Sequence, residues 1–491
     1  MVKILKENER IDDLQINNFG IYYWEKDKFG DEAYENNVTF FSTGIDIAIF
    51  GRISDSDNMG FTTLASATIT YIEASNGLPY AGRLTINKDL LKEQVNLKIH
   101  LEYIFVHEFT HLLGFAKFSF KRLFNNNQIF TRLDKNGNNR TYINTTKVIE
   151  VAKKYYNCSH VEGIQLEDYG GSGTEGSHWE ARLLYGEYMT GSIFHVDYTI
   201  SEFTLALLED LGNFKANYYT GGLMRFGKNK GCGFINDNCI DENLETKYKN
   251  EFFTSIYYAS SIDPSCASGR QGKAYNYLNF DPTVPSYYDY LKEQFIGLPI
   301  AEFCPVSRSF STETNKNILA GHCSELGVGT SYGDKISFFY TIDGEERFLN
   351  YENRKYENIT GEIYSNISFC YLSSLIKKSD SLSKIFSKMM RAICFQTFCS
   401  SRSLTVKIFN DYIVCPRAGG KIEVDSYEGF LLCPDYNLMC SGTVLCNNLF
   451  ECIDKKSEPK DESYYYLREL CIDFLNDNIF IPNIMRKMKV I

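Results

Sequence analysis

The sequence predicts an α+β fold in three parts, and three observations predict it. From about residue 45, strand-like runs lead into a helical repeat. Further helical repeats occupy the middle of the chain. Fourteen of the fifteen cysteines then fall at or after Cys232, so the remainder is of a different make. The expected division is an N-terminal lobe over residues 1–116, a central lobe over 117–238 and a cysteine-rich C-terminal lobe over 239–491.

Taken in order, residues 1 to about 40 carry no readable pattern. Ala67-Thr68-Ile69-Thr70-Tyr71-Ile72 and Leu84-Thr85-Ile86 are rich in β-branched residues and predict strands of a mixed sheet. Leu97, Leu101, Ile104, Phe105, Leu112 and Leu113 recur at spacings of three, four and seven, which predicts a helix beside that sheet, and Gly114 is its expected stop. Thr146 to Tyr156 repeats the pattern, with Val148, Val151, Ala152 and Tyr155 on one face. Thr199-Ile200-Ser201-Glu202 opens another helix, with its Thr and Glu at capping-box spacing. Beyond about residue 239 the cysteines allow too many pairings for the strands to be ordered.

Composition excludes several classes of function. The chain has 491 residues, 44% of them apolar, enough to fill the cores of two or three domains. A net charge of −11 argues against nucleic acid and leaves no basic patch for anionic lipid. No apolar run approaches the roughly 18 residues of a membrane span, and Arg486-Lys487-Met488-Lys489-Val490-Ile491 is no lipid-anchor tail. Met1 to Arg10 has no apolar core, so it is no signal peptide, and an incomplete N-terminus is expected rather than leaderless synthesis. No two cysteines form a C-x-x-C pair, so they predict disulfides and an oxidising compartment; being odd in number, they leave at least one without an intrachain partner. N-x-S/T triplets at Asn37, Asn139, Asn144, Asn157, Asn358 and Asn366 point the same way.

His107-Glu108-Phe109-Thr110-His111 carries the chemistry. On a helix, His107 and His111 share one face and can each give a ring nitrogen to one tetrahedral Zn²⁺. Glu108 beside them can take a proton from the water that the metal activates and return it to a leaving amine. This is the layout of a zinc peptidase. The alternative is chance, two histidines and a glutamate in a buried helix.

A third ligand has to come from elsewhere. A compact pattern needs histidine six residues after His111, where Lys117 stands and cannot ligate while protonated. A glutamate on a following helix is also missing, since none occurs from Phe109 through Ile149. Asp134 remains, within the polar turn run Asp134-Lys135-Asn136-Gly137-Asn138-Asn139. So does His178, at the end of the glycine-rich Gly170-Gly171-Ser172-Gly173-Thr174-Glu175-Gly176-Ser177. Without Lys-Ser/Thr after the glycines, that run is not a phosphate loop.

Leu166-Glu167-Asp168-Tyr169, that glycine run, His178-Trp179-Glu180, Arg182-Leu183-Leu184 and Glu187-Tyr188-Met189 together resemble the leishmanolysin family of surface metalloproteases. That family is a metzincin branch in which a long insertion separates the first two histidines from the third. Asp46 to Phe50, Tyr80 to Asn87, Thr204 to Gly212 and Gly231 to Phe234 resemble it too, for a span of about residues 40–455. The resemblance implies a metzincin-like catalytic lobe, an inserted central lobe and a cysteine-rich C-terminal lobe. It implies one Zn²⁺ on His107, His111 and His178, Glu108 as general base, Met189 as the structural Met-turn residue, and a Cys158–Cys232 disulfide. The family's zymogen cysteine has no counterpart, since no cysteine precedes Cys158.

The expected function is that of a zinc metalloendopeptidase acting on proteins or peptides, secreted or at the cell surface, with membrane association and a role in adhesion implied by resemblance alone. A catalytically inert adhesion protein on the same scaffold is the rival. Among neighbouring residues, His195 is expected to be structural rather than a substitute ligand. Arg182 and Glu187 either orient the loop or form a solvated ion pair.

Overall fold

A computed structural model gives the fold. It describes residues 2–4, 21–23, 47–59, 63–72, 79–90, 98–134, 136–171, 173–191, 199–212, 214–216, 224–249, 251–254, 264–276, 278–292, 294–309, 323, 338–342, 345–349, 360–365, 367–378, 387–388, 390–399 and 403–440. The chain forms two compact units, Met1–Ile129 and Phe130–Ile491.

The first unit is built on a mixed five-stranded sheet of β1 (Val2–Ile4), β2 (Ile21–Tyr23), β3 (Ala48–Ser54), β4 (Ala65–Ile72) and β5 (Pro79–Asn87), in the order β1-β2-β3-β5-β4. β3 and β5 pair in parallel, whereas β4 runs antiparallel to β5 at the edge. Helix Lys98–Leu112 packs on the sheet through Leu112, which is buried with Ile47, Ile49, Leu84 and Ile86. Burying such a side chain stabilises by about 1.5–3 kcal/mol. The approach is close enough to require glycine at residue 82, where a Cβ would stand 2.4 Å from Leu112 Cδ2. Gly114, at φ +114°, turns the chain out of the helix, as expected of a left-handed C-terminal stop. Lys117 then opens the next helix, Lys117–Leu123.

In the second unit, helix Thr146–Tyr156 spans the predicted residues, and Val148, Ala152 and Tyr155 are buried. Its exposed N-terminal amides are satisfied by Asp210, whose carboxylate accepts from Lys147 N–H at 2.8 Å and Val148 N–H at 3.1 Å. Its end is tied down by the Cys158–Cys232 disulfide, the pairing implied by resemblance. Helix Glu202–Asp210 corrects one expectation: its cap is Ser201, whose side chain accepts from Thr204 N–H, and not Thr199. Thr199 is held instead in an extended bridge to Glu187, with its amide on Gly186 O at 2.9 Å. Trp179, Phe203 and Tyr156 pack between these helices as a buried aromatic core.

Farther on, six antiparallel strands form a sheet in the order Asp411–Cys415, Leu404–Ile408, Arg391–Cys399, Ser368–Ser373, Leu431–Cys433 and Gly420–Ile422. Leu404, Val406 and Ile408 alternate with less buried neighbours, so one face of that strand enters the core. Six disulfides hold the unit: Cys158–Cys232, Cys239–Cys304, Cys266–Cys370, Cys323–Cys394, Cys399–Cys440 and Cys415–Cys433. Each limits the unfolded chain by about 3–5 kcal/mol on a loop-entropy account. Cys446, Cys452 and Cys471 lie outside the described residues. So do Asn37, Asn358 and Asn366, while Asn139, Asn144 and Asn157 are exposed. Among the described residues no helix is long and apolar enough to cross a membrane.

Candidate metal centre

His107, Glu108 and His111 occupy the last two turns of helix Lys98–Leu112. The four-residue step stacks the two imidazoles edge to face with centroids 4.7 Å apart, and it brings Nε2 of one to 3.1 Å from Nε2 of the other. His111 Nδ1 lies 2.6 Å from the carbonyl oxygen of Phe115, just past the turn at Gly114. In a neutral ring Nδ1–H then donates to that carbonyl and Nε2 presents its lone pair. Two nitrogens on one tetrahedral zinc, at bonds of ~2.0–2.1 Å, lie about 3.4 Å apart, so this pair fits a shared ion within about 0.3 Å.

Glu108 faces a different environment. Only 7% exposed, its carboxyl is pushed by burial up to about 8, against a hydrogen bond from the backbone of Ala67 in β4. A carboxyl in that range can both take and give a proton near neutral pH.

In the second unit the glycine run does what its composition predicts, with Gly170, Gly171 and Gly176 all at positive φ. The loop closes on itself where Gly176 N–H donates to Glu167 O at 2.8 Å and Glu167 N–H to His178 O at 2.9 Å. His178, nearly buried, has Nδ1 2.9 Å from Thr174 O, so its Nε2 is the outward donor, as in His111. Neutral imidazoles whose second nitrogens are anchored, as in His111 and His178, suit zinc.

Met189 is fully buried directly behind this loop. Its carbonyl accepts from Trp179 N–H at 3.0 Å, and its amide donates to the Glu187 carboxylate. Glu187 also accepts from Ser201 Oγ at 2.9 Å and Thr204 Oγ1 at 2.6 Å. Complete burial raises its carboxyl to about 7 against those donors. Glu187 is therefore a buried brace between the Met189 turn and the next helix, not half of a solvated ion pair. Arg182 is buried as well; it donates to the Phe234 carbonyl at 3.3 Å and meets Glu302 at 3.5 Å.

The other candidates separate cleanly. Asp134 accepts from the amides of Asn136 and Asn138 and from Arg140 Nε, so its oxygens are spent on the turn. His195 lies outside the described residues. The role of Thr174 has no residue signature because its acceptor is a backbone carbonyl, and the brace at Glu187 is not marked locally because its Ser201 and Thr204 partners lie 14 and 17 residues away.

Comparison with known proteins gives a family model described as leishmanolysin, peptidase M8, matching residues 34–446. A leishmanolysin homolog of Crithidia fasciculata is 37% identical over 35% of this chain and 25% of its own length. A leishmanolysin-like peptidase of Drosophila pseudoobscura pseudoobscura is 25% identical over 65% of this chain and 46% of its own. A leishmanolysin of Leishmania tropica is 22% identical over 70% of this chain and 47% of its own. The chain thus spans about half or less of the length of these relatives.

Proposed function

The chain belongs to the leishmanolysin family of metallopeptidases, and from that premise we propose that it is a zinc-dependent endopeptidase cleaving protein and peptide substrates. The observation that carries the reading is the pair His107 and His111, Nε2 to Nε2 3.1 Å apart on one helix beside the buried Glu108. His107, His111 and His178 hold the ion in this proposal, and one Zn²⁺, when bound, supplies Lewis acidity toward water and the scissile carbonyl.

The remaining steps fall to the chain's own residues. Glu108 accepts the proton of the water that attacks the carbonyl carbon, and its buried, high-lying carboxyl then returns that proton to the departing amine. His111 and His178 keep their orientation through their Nδ1 contacts with Phe115 O and Thr174 O. Met189, held by Glu187, closes the floor of the loop that carries His178.

β4 suggests how a substrate lies. Among the described residues it is the outer strand of its sheet, and Glu108 bonds to the backbone of Ala67 within it. An extended polypeptide added along that edge would run past Glu108, with main-chain hydrogen bonds giving affinity that is largely independent of side chains.

The division into lobes 1–116, 117–238 and 239–491 belongs to the same proposal. Six disulfides and exposed acceptor triplets at Asn139, Asn144 and Asn157 support secretion or cell-surface display with attached glycans. The family resemblance extends this to a role in cell adhesion.

The direct test is casein digestion by the purified chain. We expect cleavage that 1,10-phenanthroline abolishes; intact casein, or cleavage indifferent to the chelator, overturns the reading.

A further inference from the structure

Behind the histidine loop lies a second cluster, of carboxylates alone. Glu167, Asp168 and Glu180 each bring an oxygen within 4.8 Å of the other two, and Glu167 and Glu180 are buried. Glu302 adjoins them, and among the described residues the cations in contact are Arg140 and Arg182. Four carboxylates against two guanidinium groups leave two negative charges in excess, before Asp134, which also binds Arg140, is counted.

The hydrogen bonds do not remove that excess. Glu180 Oε1 accepts from Arg182 N–H at 3.0 Å, while its Oε2 has only Gln165 Nε2 at 3.5 Å, and that amide is already turned to Glu302 at 2.9 Å. Asp168 gives one oxygen to Arg140. Glu167 is 1% exposed; its Oε1 accepts from Tyr169 N–H at 2.9 Å, but its Oε2 is buried with no hydrogen-bond partner. The Ala181 amide favours the Glu167 charge without meeting hydrogen-bond geometry at that oxygen. A buried carboxylate oxygen without a donor forfeits its hydration with nothing in exchange, and something has to offset that loss.

We propose that Glu167, Asp168 and Glu180 form a Ca²⁺ site, distinct from the three histidines. An all-oxygen, all-anionic donor set selects a hard cation over zinc. Ca²⁺ accepts several carboxylates in flexible geometry, whereas Mg²⁺ demands a near-ideal octahedron and is held by one or two of them, so three carboxylates favour calcium. The unpartnered Glu167 oxygen gains a ligand, and water completes the coordination.

The placement gives the site a task. Glu167 and Asp168 lie between the strand Ile164–Gln165 and the glycine run and Glu180 just past His178, so one ion ties the two ends of the loop together. It braces the loop backbone that positions His178.

The test is equilibrium dialysis of the zinc-loaded chain against ⁴⁵Ca²⁺, with thermal unfolding in parallel, and neither readout depends on peptide cleavage. We expect one Ca²⁺ per chain and a melting temperature about 3–5 °C higher in 10 mM CaCl₂, with a smaller rise in MgCl₂. E167Q should bind that ion at least tenfold more weakly, and so should D168N, which changes the least buried of the three. No Ca²⁺ uptake by the unsubstituted chain at 10 mM, or unchanged uptake in a folded E167Q or D168N, overturns the site.

Discussion

Replacing Glu108 by glutamine will leave zinc bound and slow peptide cleavage by about 10²–10⁴-fold. Glutamine keeps the size of the side chain and its place against β4, where Glu108 meets the Ala67 backbone. What it loses is the proton cycle. An amide can neither take a proton from the attacking water nor give one to the leaving amine, whereas His107 and His111 are untouched and still share the ion. The readout is kcat on a short peptide beside zinc content by mass spectrometry. A variant within a few-fold of the parent, with zinc retained, would place the general base elsewhere.

His178→Ala should produce the opposite split, with metal lost first and activity lost as a consequence. Two imidazoles on one helix, at 3.1 Å between Nε2 atoms, make a bidentate site, and zinc in a protein is ordinarily held by three or four ligands. Changes to groups that merely orient a ligand already weaken metal binding by 10–100-fold, so removal of the ligand should exceed about a hundredfold. The loop itself should persist, because Glu167, Gly176 and Thr174 close it through backbone bonds that alanine does not disturb. Only the contact between the ring and Thr174 O is lost, for about 1 kcal/mol. Zinc occupancy of the dialysed variant is the measurement, and full occupancy would refute the assignment.

How much of this was legible from residues alone depended on the range of the contact. The pairing of His107 with His111 is a one-turn step, and Thr146 to Tyr156 shows its buried stripe at the same period, so both could be read directly. Capping was read at the right place and assigned to the wrong residue, because the bridge that occupies Thr199 comes from Glu187, 12 positions earlier. The burial of Glu187 and Arg182 could not be seen, since their partners are gathered by folding and a charged residue in isolation reads as solvated. Arg140 with Asp168 and Gln165 with Glu302 join positions 28 and 137 residues apart. No local pattern marks them.

The C-terminal sheet was opaque for another reason. Arg391–Cys399 is buried along most of its length, so the alternation that betrays a strand is missing there, and its register is set by partners on both sides. The cysteines likewise declared an oxidised framework without declaring its connectivity.

The central claim is that one ion, held by three histidines, is what the peptidase activity requires. Titrating Zn²⁺ into metal-stripped chain while following hydrolysis of a peptide tests it most directly. Activity should rise in proportion to zinc bound and level off at one equivalent per chain. Cleavage at full rate before any zinc is added, or no cleavage with one equivalent bound, would contradict it.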